Sequence, residues 1–291
     1  MVQDKSVGNR LFDIVNYGLL SLVSILAVLP FVYVLAVSFT SPEEVARGGL
    51  ILFPQEWSLA AYRYIFSTDT LFVSLLLTIY VTVVGTLINL VFTSLMAYPL
   101  SRTRLRGKQG IMLGVLFTML FSGGMIPTYF VVKNLGLTNT LWSLMIPSAI
   151  SAFNLIVLKN FFQQLPSELE DSSKIDGCSD LGVFVRIALP LSGPAMATFA
   201  LFYAVSHWNT FFTAILYIND SAKWPIQVYL REIVILAQNG IGNSAGFEEI
   251  EIQPLTIRMA VVVFATVPIL LVYPFLQKHF VKGVMLGSVK G

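Results

Sequence analysis

Ser206, His207 and Asp220 are the side-chain types of a nucleophile, a base and an orienting acid, and they share one short stretch of chain. Such a triad works only when folding sets the three in hydrogen-bond register, which nearness in sequence does not supply. His207 and His279 are the two histidines and lack the spacing of a ligand pair, and Cys178 is the single cysteine. Neither an internal disulfide nor a cysteine-held metal cluster can form, and no glycine-rich phosphate loop is present. The chain is therefore expected to be no enzyme, with no cofactor and no metal of its own. Its most informative polar segment lies at residues 166–190, with Glu168, Glu170, Asp171, Lys174, Asp176, Asp180 and Arg186.

The elements that must hold this segment are membrane spans. Of 291 residues, 56% are hydrophobic and 12% charged, about half the roughly 25% charge of a soluble domain. A spanning helix needs about 20 mostly apolar residues, because its backbone polar groups must bond within the segment. Six stretches qualify, at 18–37, 71–96, 111–132, 141–158, 195–217 and 259–275. The expected fold is an all-α integral membrane protein with six transmembrane helices. It divides into an N-terminal part at 1–70, a transmembrane domain at 71–277 with a loop at 161–194, and a tail at 278–291. Lys5 and Arg10 precede an apolar run longer than the roughly 7–15 residues of a signal-peptide core, so the first helix is expected to be retained.

Charge orients these spans. Twelve of the 18 Lys and Arg residues fall on the side of the termini: Lys5, Arg10, Arg102, Arg104, Arg106, Lys108, Lys159, Lys174, Arg186, Lys278, Lys282 and Lys290. The bias of Lys and Arg toward the cytoplasm places both termini there. The net charge of +2 is this orientation signal and points to no nucleic acid. No Lys, Arg, Asp or Glu lies in the centre of a span. Ion-coupled carriers keep such residues for ion handling, and a membrane-embedded enzyme needs a reacting set, so both readings lose support. Residues 41–70 hold Trp57, Tyr62 and Tyr64, types suited to the membrane–water boundary, and 226–238 has the apolar spacing of a surface helix.

The 166–190 segment reads as helix, break, helix. Ser167 and Glu170 have capping-box spacing, and acids in the first turn suit the helix dipole. Gly177 marks a left-handed stop. Ser179 or Asp180 can cap a second short helix carrying Leu181, Phe184 and Ile187, which Pro190 is expected to end. Ser172 and Ser173 keep one face slim enough for a partner to approach. An ordinary amphipathic linker would have much of this pattern.

Asp171-Ser172-Ser173, then Gly177, then Ile187-Ala188-Leu189-Pro190 resembles the "EAA loop" of importer permeases of the ATP-binding-cassette class. Asp-Ser-Ser stands in place of Glu-Ala-Ala. The likeness covers nearly the whole chain, through Ala97-Tyr98-Pro99-Leu100-Ser101-Arg102, residues 124–129 and 135–140, His207-Trp208-Asn209-Thr210-Phe211-Phe212, and the ending from Gly283 through Gly287 to Lys290-Gly291. These resemble carbohydrate permeases of the maltose type, in particular the shorter of the two. Residues 125–129 and 229–233 look like the branch for complex, uronate-containing oligosaccharides such as alginate or pectin fragments.

The resemblance implies a type I importer fold in a bacterial cytoplasmic membrane. It also implies a second homologous permease, two ATPase subunits holding ATP and Mg, and an extracytoplasmic sugar-binding protein. It implies ATPase coupling through Glu170, Asp171, Ser172, Ser173, Asp176, Gly177, Ile187, Leu189 and Pro190. Asn154, Trp208, Asn209, Phe211 and Phe212 are candidates for the substrate pathway: aromatic faces stack on sugar rings and amides bond hydroxyls. Helix packing accounts for the same residues. Gly283, Gly287 and Lys290 are candidates for a tail contact with the ATPase. A permease for a non-sugar solute is the near alternative, and an ion-coupled carrier the remoter one.

Overall fold

A computed structural model describes residues 7–67, 69–239 and 254–288, and every regular element among them is helical. It divides into two compact units, one drawing on 1–69 and 230–267, the other on 70–229 and 268–291. The first unit opens with α1 (Val7–Ser38), followed by the short α2 (Pro42–Ala46) and α3 (Ala60–Ser67). Leu11, Leu19, Leu22, Ile25, Leu26 and Phe31 are exposed around α1. A helix apolar on every side is a membrane or core helix, and water does not solvate it.

The second unit is organised by α4 (Asp69–Ser101), whose amphipathicity is the reverse of a soluble helix. Its buried face runs through Ser74, Thr78, Gly85, Asn89, Thr93 and Ala97, while Leu76, Val83, Leu87, Val91 and Leu95 are exposed. Small and hydroxyl residues let helix backbones approach in lipid, where apolar side chains gain nothing by leaving the solvent. The chain continues through α5 (Lys108–Leu120), α6 (Met125–Asn134), α7 (Trp142–Met145), α8 (Ala152–Gln163), α9 (Ser167–Ile175) and α10 (Asp180–Val183). A π-helical turn at Phe184–Ala188 leads into α11 (Leu189–Leu191), then α12 (Gly193–Trp208), α13 (Phe212–Tyr217), α14 (Ile226–Asn239) and α15 (Pro254–Ser288).

The long apolar spans expected at 18–37, 71–96 and 259–275 are continuous helices, and the other three expected spans are broken. α5 and α6 meet at 118° around Gly124, whose φ of +86° only a residue without Cβ adopts at ease. The 141–158 stretch is two helices separated by residues 146–151, where Pro147 cannot donate a helical bond. The 195–217 stretch stops at Trp208 and resumes at Phe212. Among the described residues, three unbroken candidate spans and two bent pairs result, the second pair joining Asp180–Leu191 to Gly193–Trp208 at 81°.

Two apolar clusters lie along α4. Near its start Val81 packs with Leu144, Met145, Ala214, Ile218 and Val228. Near its end Ala97, Tyr98 and Leu100 join Leu155, Leu158, Phe162, Phe184, Ala188, Ala195, Phe199 and Tyr203. Between them sits a polar layer. His207 Nε2 meets Asn89 Oδ1 at 2.6 Å, and Asn89 Nδ2 donates to the Ser148 carbonyl at 2.5 Å. Thr93 and Tyr203 share a hydroxyl bond of 2.8 Å, and Ser151 N–H donates to Tyr203 Oη at 3.3 Å. Asn89 and Tyr203 thus each answer one backbone group of the 146–151 break, the Ser148 carbonyl and the Ser151 N–H.

The fit here is close. A Cβ at Gly85 would stand 2.6 Å from His207 Nε2, so Gly85→Val is expected to destabilise the chain by roughly 1–3 kcal/mol through overpacking. Asn89→Leu, which keeps the volume and removes the bonds, is expected to cost about 0.5–2 kcal/mol. Thermal unfolding of the purified variants in one detergent measures both; unchanged midpoints would remove the polar layer from the stability account.

Candidate functional site

The 166–190 loop is two short helices held by local caps and an ion pair between them. α9 starts at Ser167 with Pro166 at its N-cap, so the expected capping box at Ser167 and Glu170 does not form. Ser167 is already inside the helix, and the Glu170 carboxylate is drawn to another partner. Ser172 and Ser173 fold their hydroxyls back onto the Leu169 carbonyl at 3.2 and 2.6 Å, which keeps that face slim. Asp176 is the C-cap and Gly177 takes φ +82°. Cys178 N–H donates to Ser173 O at 2.9 Å and Gly177 N–H to Lys174 O at 3.0 Å, the paired bonds of a Schellman stop.

Ser179 supplies the second cap: its Oγ accepts from Gly182 N–H at 3.2 Å. Lys174 Nζ and Asp180 Oδ1, 2.7 Å apart, staple the two helices. Pro190 does not end the second helix as expected. The preceding turn opens to π geometry at Phe184–Ala188 and the helix runs on to Leu191. Proline lacks the N–H and crowds the carbonyl four residues back, and a wider turn accommodates both.

What anchors the loop is the end of α4. The Tyr98 ring lies 5.7 Å from Phe162 and 5.0 Å from Phe184, and its hydroxyl donates to Glu170 Oε1 at 3.3 Å. The Arg102 guanidinium sits 4.6 Å above the same ring and pairs with Glu170. The Arg102 and Glu170 side chains are only 20% and 16% exposed, so each charge depends on the other. Arg104 and Asp171 form an outer pair at 3.6 Å that is mostly in solvent. A cleft of about 740 Å³ opens between this corner and the loop, lined among others by Tyr98, Arg102, Arg104, Glu170, Asp171 and Lys174. Tyr98, Arg102, Arg104 and Lys174 are absent from the candidate set read from sequence. Tyr98 and Arg102 belong to the Ala97–Arg102 stretch that resembles a permease helix end, and Arg102, Arg104 and Lys174 carry orientation charge; neither signal points to a contact with the loop.

The coupling candidates separate into two groups. Ser172, Asp176 and Gly177 are exposed, with Ile175 (86% exposed) and Leu181 (63%) beside them. Ile187 and Leu189 are part-buried and hold the loop from within, and Pro190 is exposed.

The pathway candidates do not form one cluster. Asn154 is buried in the first turn of α8, whereas Trp208 is buried at the end of α12. Asn209 caps α12, with Nδ2 donating to Val205 O at 2.8 Å. Phe211 and Phe212 are exposed and edge-to-face at 6.4 Å. The last four flank the break between α12 and α13, inside the expected 195–217 span. Ile146, Pro147, Ser148 and Ile150 are likewise exposed on irregular backbone. Gly283 and Gly287 lie on α15, while Lys290 falls outside the described residues. No three His, Cys, Asp or Glu side chains converge as a metal set among the described residues.

Residues 70–286 match the family model described as "Binding-protein-dependent transport system inner membrane component". The polygalacturonan/rhamnogalacturonan transport system permease protein YtcP of Bacillus subtilis (strain 168) is 59% identical over 284 residues, covering 97% of this chain and 99% of that protein. Protein LplC of the same organism is 55% identical over 282 residues, covering 97% of this chain and 96% of that one. A crystal structure of a bacterial ABC transporter involved in the import of the acidic polysaccharide alginate aligns with a TM-score of 0.89 and 31% identity. That match covers 94% of this chain and 98% of the matched chain.

The two ion pairs at the corner are expected to differ in worth. Arg102→Ala takes the charged partner from a half-buried carboxylate and should cost roughly 1.5–3 kcal/mol, whereas Arg104→Ala should cost less than about 1 kcal/mol and vanish in high salt. Protease nicking near Gly177, followed against salt in membranes, distinguishes them. Equal protection in the two variants would remove Arg102 from its anchoring role.

Proposed function

This chain belongs to the family of inner membrane components of binding-protein-dependent transport systems, and we propose that its cargo is an oligosaccharide containing uronate residues. It is a permease subunit of an ATP-binding-cassette importer. The substrate reading draws on the name of the 59%-identical relative and on the alginate importer with the same fold, since polygalacturonan and alginate are both acidic polysaccharides.

We further place six crossings in the membrane, three of them broken, with both termini and the 161–194 loop in the cytoplasm. The Lys and Arg bias across the connections supports that orientation. The partners are then a second homologous permease, two ATPases that bind ATP and Mg, and a sugar-binding protein outside.

The observation that carries the coupling role is the braced α9. It is capped at its end by Gly177, presents Ser172 and Ile175 outward, and is tied to α4 through Glu170, Arg102 and Tyr98. An ATPase that closes on ATP and holds α9 in a surface cleft displaces the end of α4 with it, because the half-buried pair, backed by the Tyr98 bond, resists separation. α4 also carries Asn89 and Thr93, so its movement reaches the 146–151 break. Irregular backbone exposed at membrane depth is tolerated against protein or a water-filled path and not against lipid. On that ground 146–151, together with Trp208, Asn209, Phe211 and Phe212, faces the pathway or the second permease. The spans hold no central Lys or Arg, so recognition of carboxylates falls to the binding protein and the second permease.

Reconstituted transporter should show ATPase activity stimulated by binding protein loaded with oligogalacturonate and little response to neutral malto-oligosaccharide; the reverse preference would overturn the substrate reading. Asp171→Lys and Gly177→Asp should abolish uptake with membrane insertion intact. Normal uptake by both would sink the coupling role of the loop.

A further inference from the structure

A second surface lies between α2 and α3, and its base is locked. Ser41 N–H donates to Glu56 O and Ser58 N–H to Phe39 O, each at 2.8 Å, and Thr40 pairs with Trp57 as an antiparallel bridge. The buried Glu44 carboxylate accepts Gln55 N–H at 3.0 Å and Glu56 N–H at 2.8 Å. Ser41 Oγ donates to Glu56 at 2.8 Å and Arg47 pairs with the same carboxylate at 3.0 Å. The serine bond and then the arginine charge hold Glu56 below the usual carboxylate range. Gly48 and Gly49, at φ +75° and +109°, reverse the chain in a region that favours glycine.

The tip held by this lock is Leu50-Ile51-Leu52-Phe53, which has no charge. Leu50 is 70% exposed and Phe53 77%. Four adjacent apolar residues on a rigid tip are out of place in water. The tip does not stand away from α1. Leu52 shares an apolar recess of about 400 Å³ with Ser24, Ile25, Val28, Leu29 and Val32 on the flank of that helix. The recess runs from Val32 back to Ser24, about 9 to 21 Å along the axis from the end of α1 at Ser38, at 1.5 Å per residue. Aromatic rings gather beside the tip: Phe39 stacks on Tyr62 at 4.7 Å, and Phe53 meets Trp57 edge-on at 5.8 Å. Tryptophan and tyrosine at the end of a span are membrane-interface types.

We propose that residues 48–53 are an interfacial wedge that enters the bilayer leaflet at the C-terminal end of α1, with phospholipid acyl chains packed against Leu50, Leu52 and Phe53. Only the near edge of the recess, at Val32 about 9 Å from the end of α1, falls within the roughly 5–10 Å at which apolar faces settle between headgroups and chains, and the wedge is placed at that edge. Irregular backbone goes no deeper without unsatisfied polar groups, and the Glu44 and Glu56 lock marks the side that stays in water. The inference rests on α1 crossing the membrane and not on the cargo carried.

The test uses the assembled transporter with Cys178→Ser and Phe53→Cys, labelled at position 53 with an environment-sensitive fluorophore in phosphatidylcholine–phosphatidylglycerol vesicles. Phe53 is exposed, so the variant should fold. The expected result is blue-shifted emission, protection from iodide, and stronger quenching by a nitroxide near the lipid headgroup than by one at the chain end. Water-like emission with full iodide quenching would overturn the wedge. So would a blue shift that no lipid nitroxide quenches, because protein would then cover the tip. In Glu44→Gln, which weakens the lock, iodide access should rise.

Discussion

A helix that crosses hydrocarbon can bond all its backbone groups internally, but each interruption frees N–H and C=O groups that no water will meet. This chain interrupts its apolar stretches around residues 121–124, 146–151 and 209–211, and the packing of its larger unit follows from how one of those interruptions is satisfied. Asn89 on α4 supplies a donor for the Ser148 carbonyl, and Tyr203 on α12 supplies an acceptor for the Ser151 N–H. His207 orients Asn89 in turn. The polar groups needed at the break fix which faces of α4 and α12 turn inward, and glycine at position 85 makes room for the imidazole.

α4 ties this layer to the loop. One end of its buried stripe meets α7 and α13, its middle meets the 146–151 break, and its last turn presents Tyr98 and Arg102 to Glu170 on α9. A continuous helix transmits displacement along its axis with little loss, since its own hydrogen bonds must break before it shortens. A force on α9 therefore has a stiff route to the polar layer. The inner pair does this holding. The outer Arg104–Asp171 pair, exposed and screened, adds little.

Two surfaces of the chain obey different solvents. The α9 end of the loop exposes Ile175 and Leu181 beside charged groups, a mixture suited to a protein partner. The 48–53 tip exposes an uncharged apolar run on the flank of a lipid-facing helix, a mixture suited to the bilayer. The same residue types are thus put to different use by their neighbours.

Much of the loop was legible in sequence because its signals are local. Gly177 stops a helix for want of a Cβ, and Ser179 caps the next with its own hydroxyl, whatever surrounds them. The continuous spans at 18–37, 71–96 and 259–275 were legible for a similar reason, since apolar length alone sets them. The capping box at Ser167 failed because Glu170 was claimed by Arg102, some seventy residues away in sequence. Pro190 failed as a stop because a π turn absorbed it, and the 141–158 stretch is not one continuous helix because Asn89 and Tyr203 make an unwound segment tolerable. Sequence by itself determined the solvent, the helical class and the local stops, which depend on each residue and its near neighbours. Only the tertiary structure decided which polar group answers which, because hydrogen bonds and buried ion pairs are formed by proximity in space.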